Sequence, residues 1–234
     1  MANTEYEGTI DWNQYWTDSD DPLGDAANGS MAVVVEPFLE FIEEKGVPDS
    51  YADVGCGGGE LAATVAERHP ETMVGGYDAA EPVVVANRHR TNERAPANPR
   101  FEQATLPDFQ PAQQFDLVSA FFTLCYVPEV EPALQALYDA VAPGGHLVIT
   151  YHNRHARSMC QTFARDPHEY LGDDSAWDPD HFADRFELVL EGENLLSYER
   201  IQKTLNTWPQ SVWSVVDAER YGAWKQNPLV FIPK

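Results

Sequence analysis

Apolar positions set the first boundaries. Between Met31 and Glu44, Val34, Val35, Phe38, Leu39 and Ile42 recur at helical spacing, and Lys45-Gly46 supplies a stop. Pro37 either kinks this helix or marks its first turn. The short run SYADVG then predicts a strand, followed by a Gly-rich turn and a helix from about Glu60 to Arg68. Met73 to Tyr77 is a second strand ending in Asp78, with a helix near Pro82 to Arg94. Phe101 to Ala104 and Phe115 to Phe121 read as strands, Val130 to Val141 as a helix, and His146 to Tyr151 as a fifth strand after Pro143-Gly144-Gly145. Beyond residue 151 the regularity falls off. A helical stretch near 156–165 and a loop rich in Asp, Pro and Gly (166–180) lead to a strand-like FELVLEG (186–192), then ERIQKTLNTW, then the apolar run LVFIP (229–233).

Strands alternating with helices at this spacing predict an α/β, doubly wound, mostly parallel sheet, whose ligand sits along the edge formed by the strands' C-terminal ends. Residues 1–30 are polar and broken by Gly and Pro around the aromatic cluster Trp12, Tyr15, Trp16, which predicts an arm or short helix packed on the domain. Residues 31–234 show no internal repeat and no long linker, so one domain is expected, with substrate-side insertions near 152–184 and 192–228.

Charge changes the picture of partners. The chain has 38 Asp+Glu against 15 Lys+Arg, a net charge of −23, with Lys only at 45, 203, 225 and 234. The acids are spread along the whole chain, which is a solvated acidic surface resembling that of proteins from salt-accumulating cells. Such a surface disfavours nucleic acid, whose binding rests on Lys and Arg, although strong salt weakens that argument; DNA is not expected and RNA is lowered without being excluded. The three cysteines, Cys56, Cys125 and Cys160, match no disulfide framework or zinc spacing and are expected to be reduced. No apolar run approaches the roughly 18 residues of a span, and the N-terminus lacks the basic-then-apolar order of an export signal, so a cytoplasmic protein is expected.

The strongest chemical signal is Asp53-Val54-Gly55-Cys56-Gly57-Gly58-Gly59 at the end of the first strand. Glycines there allow a tight turn and close backbone approach to a ligand. Glu60 stands where a dinucleotide fold wants Gly or Ala, and its charge suits a pyrophosphate poorly. Asp53 suits instead a ligand carrying an ammonium and a sulfonium. Asp78 ends the next strand, where α/β nucleotide sites place a carboxylate that accepts from ribose hydroxyls.

YADVGCGGGE (51–60), Asp78, FEQATLPDF (101–109), FDLVSAFFTLCYV (115–127) and LYDAVAPGGHLVIT (137–150) together resemble the class I S-adenosylmethionine-dependent methyltransferases. The resemblance covers about 31–151 and implies a seven-stranded Rossmann-like sheet, with 186–191 and 229–233 as its last two strands. It also implies S-adenosylmethionine as cofactor and S-adenosylhomocysteine as product. By that resemblance Asp53, Gly55 and Gly57 hold the methionyl end, Asp78 the ribose, and Ala79 the adenine pocket. The adenine amino group falls to Ala104 and Thr105, where the family usually has an acid. Ser119 and Phe121 flank the cofactor, and Tyr15 and Trp16 either close over the site as a lid or pack as an ordinary staple.

Methyl transfer is an in-line displacement that needs a general base only if the acceptor carries a proton at neutral pH. Acceptor-side candidates are the residues after the fourth and fifth strands: Tyr126, His152 and His155 as catalytic groups, and Asn153, Arg154 and Arg157 as binding groups. Surface or helix-capping roles stand beside these for each histidine. No metal site is expected, because His152-x-x-His155 lacks further ligands. Between Tyr151 and Arg165 the chain carries Arg154, Arg157 and Arg165 with no acid, a local reversal of sign that suits a small anionic acceptor held by arginine forks. TYHNR is faintly similar to tRNA wobble-uridine carboxyl methyltransferases, which keeps tRNA as an alternative, beside a cofactor-binding regulator without turnover.

Overall fold

The computed structural model describes residues 10–18, 29–92, 98–172, 175, 177–218 and 222–234. Most of the expected N-terminal arm, residues 1–9 and 19–28, and the last residues of the helix expected to reach Arg94 lie outside the described residues.

Seven strands form one sheet: β1 Ser50–Val54, β2 Met73–Asp78, β3 Arg100–Gln103, β4 Phe115–Ala120, β5 Val141–Thr150, β6 Gln210–Ser211 and β7 Leu229–Pro233. Their order is β3-β2-β1-β4-β5-β7-β6. The first five run parallel, while β7 is antiparallel to both β5 and β6. Strand order reverses between β1 and β4, and at such a switch point the loops at the strand ends diverge and open a crevice.

Side-chain alternation builds both faces. Tyr51, Leu117 and Val148 join a cluster under the helices Gly29–Lys45 and Glu60–Arg68. Their neighbours Ala52, Val118 and Leu147 join a second cluster with Leu134 and Leu137 of helix Val130–Asp139 and Ile201 of helix Tyr198–Leu205. A strand buried on both faces reads as the near-continuous apolar run seen in the sequence. Helix Gly29–Lys45 carries Pro37 in its interior, so that proline does not mark the first turn. Asp53 is the one buried acid among the described residues, which leaves the acidic excess at least partly solvent-accessible.

Two elements differ from expectation. FELVLEG is not a strand: Glu187–Glu191 is a short helix ended by Gly192 at φ 87°. Leu188 and Val189 are both buried, Val189 beside Phe182 and Phe186 in a third cluster, and burial of sequence neighbours defeats the inside-outside alternation of a strand. The sixth strand is instead Gln210–Ser211, two residues held against Val230 and Phe231. The fifth strand starts at Val141 and loops out around Pro143-Gly144-Gly145, because its register jumps from Phe115↔Val141 to Leu117↔His146. Gly145 is required there, since a Cβ would lie 2.4 Å from the Asp116 carbonyl oxygen.

Candidate active site

One pocket opens at the C-terminal ends of β1, β2 and β4. Its floor is the glycine loop. Gly55 and Cys56 both donate backbone N–H to the Tyr77 carbonyl oxygen, at 2.7 and 3.0 Å, which folds the loop back onto β2. Gly55 has φ +74°, and a Cβ there would stand 2.2 Å from Thr123 Oγ1. Gly57 N donates to Asp78 Oδ2 at 2.8 Å, and Ala80 N donates to Asp78 Oδ1 at 3.0 Å. Asp78 is therefore fixed by two backbone donors and retains lone pairs on each oxygen for a ligand.

Asp53 is held from behind. Ser119 Oγ donates to Asp53 Oδ1 at 2.9 Å, and Tyr51 Oη lies 2.7 Å from Ser119 Oγ. Because the serine spends its proton on the carboxylate, the tyrosine is the donor in this chain. Burial, together with the neighbouring Asp78, pushes the Asp53 carboxyl up to about 7. Burial also raises Asp78 against the lowering effect of its backbone donors. Asp53, buried, and Asp78, half-buried, at one pocket wall constitute a site that gains from a bound cation.

The opposite wall is aromatic. On helix Trp12–Asp18, Trp16 packs with Ala80 and Val83, and its ring lies 3.4 Å from where a Gly57 Cβ would stand. One turn earlier, Trp12 meets Tyr126 edge-on at 4.8 Å between ring centroids. The guanidinium of Arg185 lies within 5.4–5.8 Å of the Trp12, Tyr15 and Tyr126 rings, and its Nε donates to Tyr126 Oη at 3.1 Å. Burial opposes the charge on Arg185, but the two phenol oxygens outweigh it and hold the arginine protonated. Burial pushes the Tyr126 phenol and the Cys56 thiol up, so both stay protonated at neutral pH.

Of the residues singled out in the sequence, Asp53, Gly55, Gly57, Asp78, Ala79, Ala104, Phe121, Tyr15, Trp16 and Tyr126 line this pocket. The others do not. Ser119 is buried behind Asp53, and Thr105 yields its place to Leu106. His152 is buried against Phe186, where burial lowers it to about 4 and keeps it neutral. Asn153 caps helix Arg154–Phe163, its side chain accepting from His155 N and Ala156 N. Arg154 and His155 are exposed, and Arg157 Nε donates to the Leu190 carbonyl oxygen. That segment folds away from the cleft because Ala156 and Cys160 are its buried face.

Sequence reasoning passed over Trp12, Arg185 and Phe122 as site residues. The i, i+3, i+4 spacing of Trp12, Tyr15 and Trp16 already placed all three on one helix face. Phe122 lines the pocket at φ 53°, its N–H donating to Thr150 Oγ1 at 2.7 Å. No local pattern marks Phe122 or Arg185.

Comparison with known proteins agrees with this geometry. Residues 52–147 match a family described as a methyltransferase domain. Over 109 residues the chain is 34% identical to a ubiquinone biosynthesis O-methyltransferase of Acinetobacter baylyi (strain ATCC 33305 / BD413 / ADP1), covering 45% of this chain and 44% of that protein. It is also 34% identical over 116 residues to a trans-aconitate 2-methyltransferase of Variovorax paradoxus (strain S110), covering 48% and 43%. The chain thus aligns with less than half the length of these relatives. The fold resembles that of the N-methyltransferase NodS from Bradyrhizobium japonicum WM9, solved with S-adenosyl-L-homocysteine, at a TM-score of 0.60, 15% identity and 95% and 97% coverage. The match to the methyltransferase-domain family is confined to residues 52–147, and the likeness to NodS is one of fold.

Proposed function

We propose that this protein transfers the methyl group of S-adenosylmethionine to a small molecule. The observation that carries the reading is the convergence of Asp53, the glycine loop and Asp78 on one pocket faced by Trp12, Tyr15, Trp16 and Tyr126. The donor set fits the cofactor. Asp53 would hold its ammonium, Asp78 its ribose hydroxyls, and Ala79, Ala104 and Leu106 an apolar adenine slot. When bound, S-adenosylmethionine supplies an electrophilic methyl carbon on a sulfonium, which leaves as the neutral thioether S-adenosylhomocysteine. The chain's own part is to align and to exclude water, and orientation is worth several powers of ten in such a displacement.

Among the described residues no histidine lines the pocket, and burial keeps Tyr126 and Cys56 protonated. Asp53 is committed to the cofactor's cation. An acceptor whose nucleophilic atom is already unprotonated at neutral pH therefore fits best. The aromatic wall supports a small acceptor over tRNA, and His152 and Asn153 of TYHNR are turned into packing and helix capping.

The test is titration with S-adenosylhomocysteine by calorimetry, followed by a screen for S-adenosylhomocysteine formation with small-molecule and RNA fractions as acceptors. One-to-one binding and turnover with a small-molecule fraction are expected. Absence of binding by the folded protein would overturn the reading.

A further inference from the structure

We infer that Arg185 and Tyr126 form an anion subsite for the acceptor, so that the acceptor is a carboxylate-bearing planar molecule. The inference rests on the methyltransferase reading above. Arg185 is a cation lining a pocket whose other charged lining residues, Asp53, Glu60 and Asp78, are all acids. Among the described residues, no carboxylate forms an ion pair with it. Its partners are the two neutral phenols of Tyr126 and Tyr15, fewer than its five N–H donors, so donors remain for the pairing that suits a carboxylate. Tyr126 Oη accepts a bond from Nε and its ring lies 5.8 Å from the guanidinium, so the phenol orients the fork.

Position assigns this subsite to the acceptor and not to the cofactor. Trp16 covers the glycine loop, whereas Arg185 gathers with Trp12, one helical turn away, and with Tyr126 beyond the end of β4. Arg185 also lies outside the stretch 52–147 that the family shares, as expected of a residue serving the acceptor and not the common cofactor. The ring faces of Trp12, Tyr15 and Tyr126 around the guanidinium favour a flat ligand.

The experiment uses benzoate and its neutral isostere benzamide as probes, titrated at fixed ionic strength into the full chain saturated with S-adenosylhomocysteine. Benzoate is expected to bind roughly tenfold or more tightly than benzamide. Arg185→Gln should remove that preference, and Tyr126→Phe should reduce it, both with unchanged affinity for S-adenosylhomocysteine. Equal binding of the two probes to the wild-type protein would overturn the inference while leaving the methyltransferase reading intact. So would a fall in S-adenosylhomocysteine affinity in folded Arg185→Gln, because the arginine would then serve the cofactor's own carboxylate. If the wild-type protein binds no S-adenosylhomocysteine, the methyltransferase reading fails and this inference falls with it. Should Arg185→Gln not fold, preference for benzoate that persists undiminished in Tyr126→Phe is the overturning result.

Discussion

The two walls of the pocket are built by different means. The wall proposed for the cofactor is mostly backbone: glycines at positive φ, N–H groups aimed at Asp78, and an aspartate at the end of β1 braced by Ser119 of β4. The sheet ladder fixes the aspartate, since Asp53 pairs with both Gly76 and Ser119, and two bonds to the Tyr77 carbonyl oxygen fold the loop onto β2. The wall proposed for the acceptor is all side chain, from three segments distant in sequence: Trp12, Tyr126 and Arg185. Loops and short helices can exchange such side chains without disturbing the sheet, and that is where a shared chemistry acquires a particular substrate.

If the contrast is right, the largest loss comes from the backbone. Gly55→Ala forces a Cβ into Thr123 and an alanine into left-handed backbone, about 1–3 kcal/mol of strain before the clash is counted. Calorimetry should show S-adenosylhomocysteine affinity falling roughly 100-fold or more. Near wild-type binding would mean that the loop is not the rigid cradle described. Asp78→Ala comes next. It removes the acceptor of two backbone N–H bonds together with the proposed ribose contact, for an expected loss of roughly 10- to 100-fold. An unchanged dissociation constant in the folded variant would remove Asp78 from the cofactor wall.

Acidity tests the same wall without disturbing its shape. Asp53 titrates at about 7 in the folded protein, and a cation is held by its ionised form. Affinity for S-adenosylhomocysteine should therefore fall as pH drops through 7, by at most about tenfold per pH unit, and Asp53→Asn should abolish that slope. The sign for stability is opposite. With its folded pKa raised above the unfolded value near 4, Asp53 keeps its proton longer in the folded state. Its contribution to apoprotein stability thus declines between about pH 4 and 7 and levels above. A binding curve flat from pH 5 to 8 would show that Asp53 does not face the ligand's cation.

The smallest effect is expected at the basic segment after β5. Arg154 is exposed and lines no part of the pocket. Arg154→Ala should change stability by no more than about 0.5 kcal/mol and leave kcat/KM within twofold. A tenfold drop in kcat/KM would shift the acceptor wall to the segment that first suggested an anionic substrate.

That segment shows where local reading ran out. Its run of arginines without acids was a sound electrostatic signal, but sign along a chain does not say which way a helix turns. Ala156 and Cys160 turned it, and the arginine facing the pocket came from a stretch crowded with acids, DPDHFADR. FELVLEG failed likewise, because Leu188 and Val189 are both buried on a short helix, and Gln210–Ser211 takes the edge of the sheet.

What the sequence determined by itself was whatever follows from short-range rules: the alternation of strand and helix, the parallel sheet, and the glycine loop with Asp53 and Asp78 at consecutive strand ends. Those features are local in backbone geometry, and their spacing survives any packing. The tertiary structure alone decided that Trp12, Tyr126 and Arg185 meet, that Phe122 is held at positive φ by Thr150, and that His152 is buried and neutral. Each depends on segments brought together by hydrophobic burial, a force that carries no direction along the chain and is resolved only by how the whole surface fits.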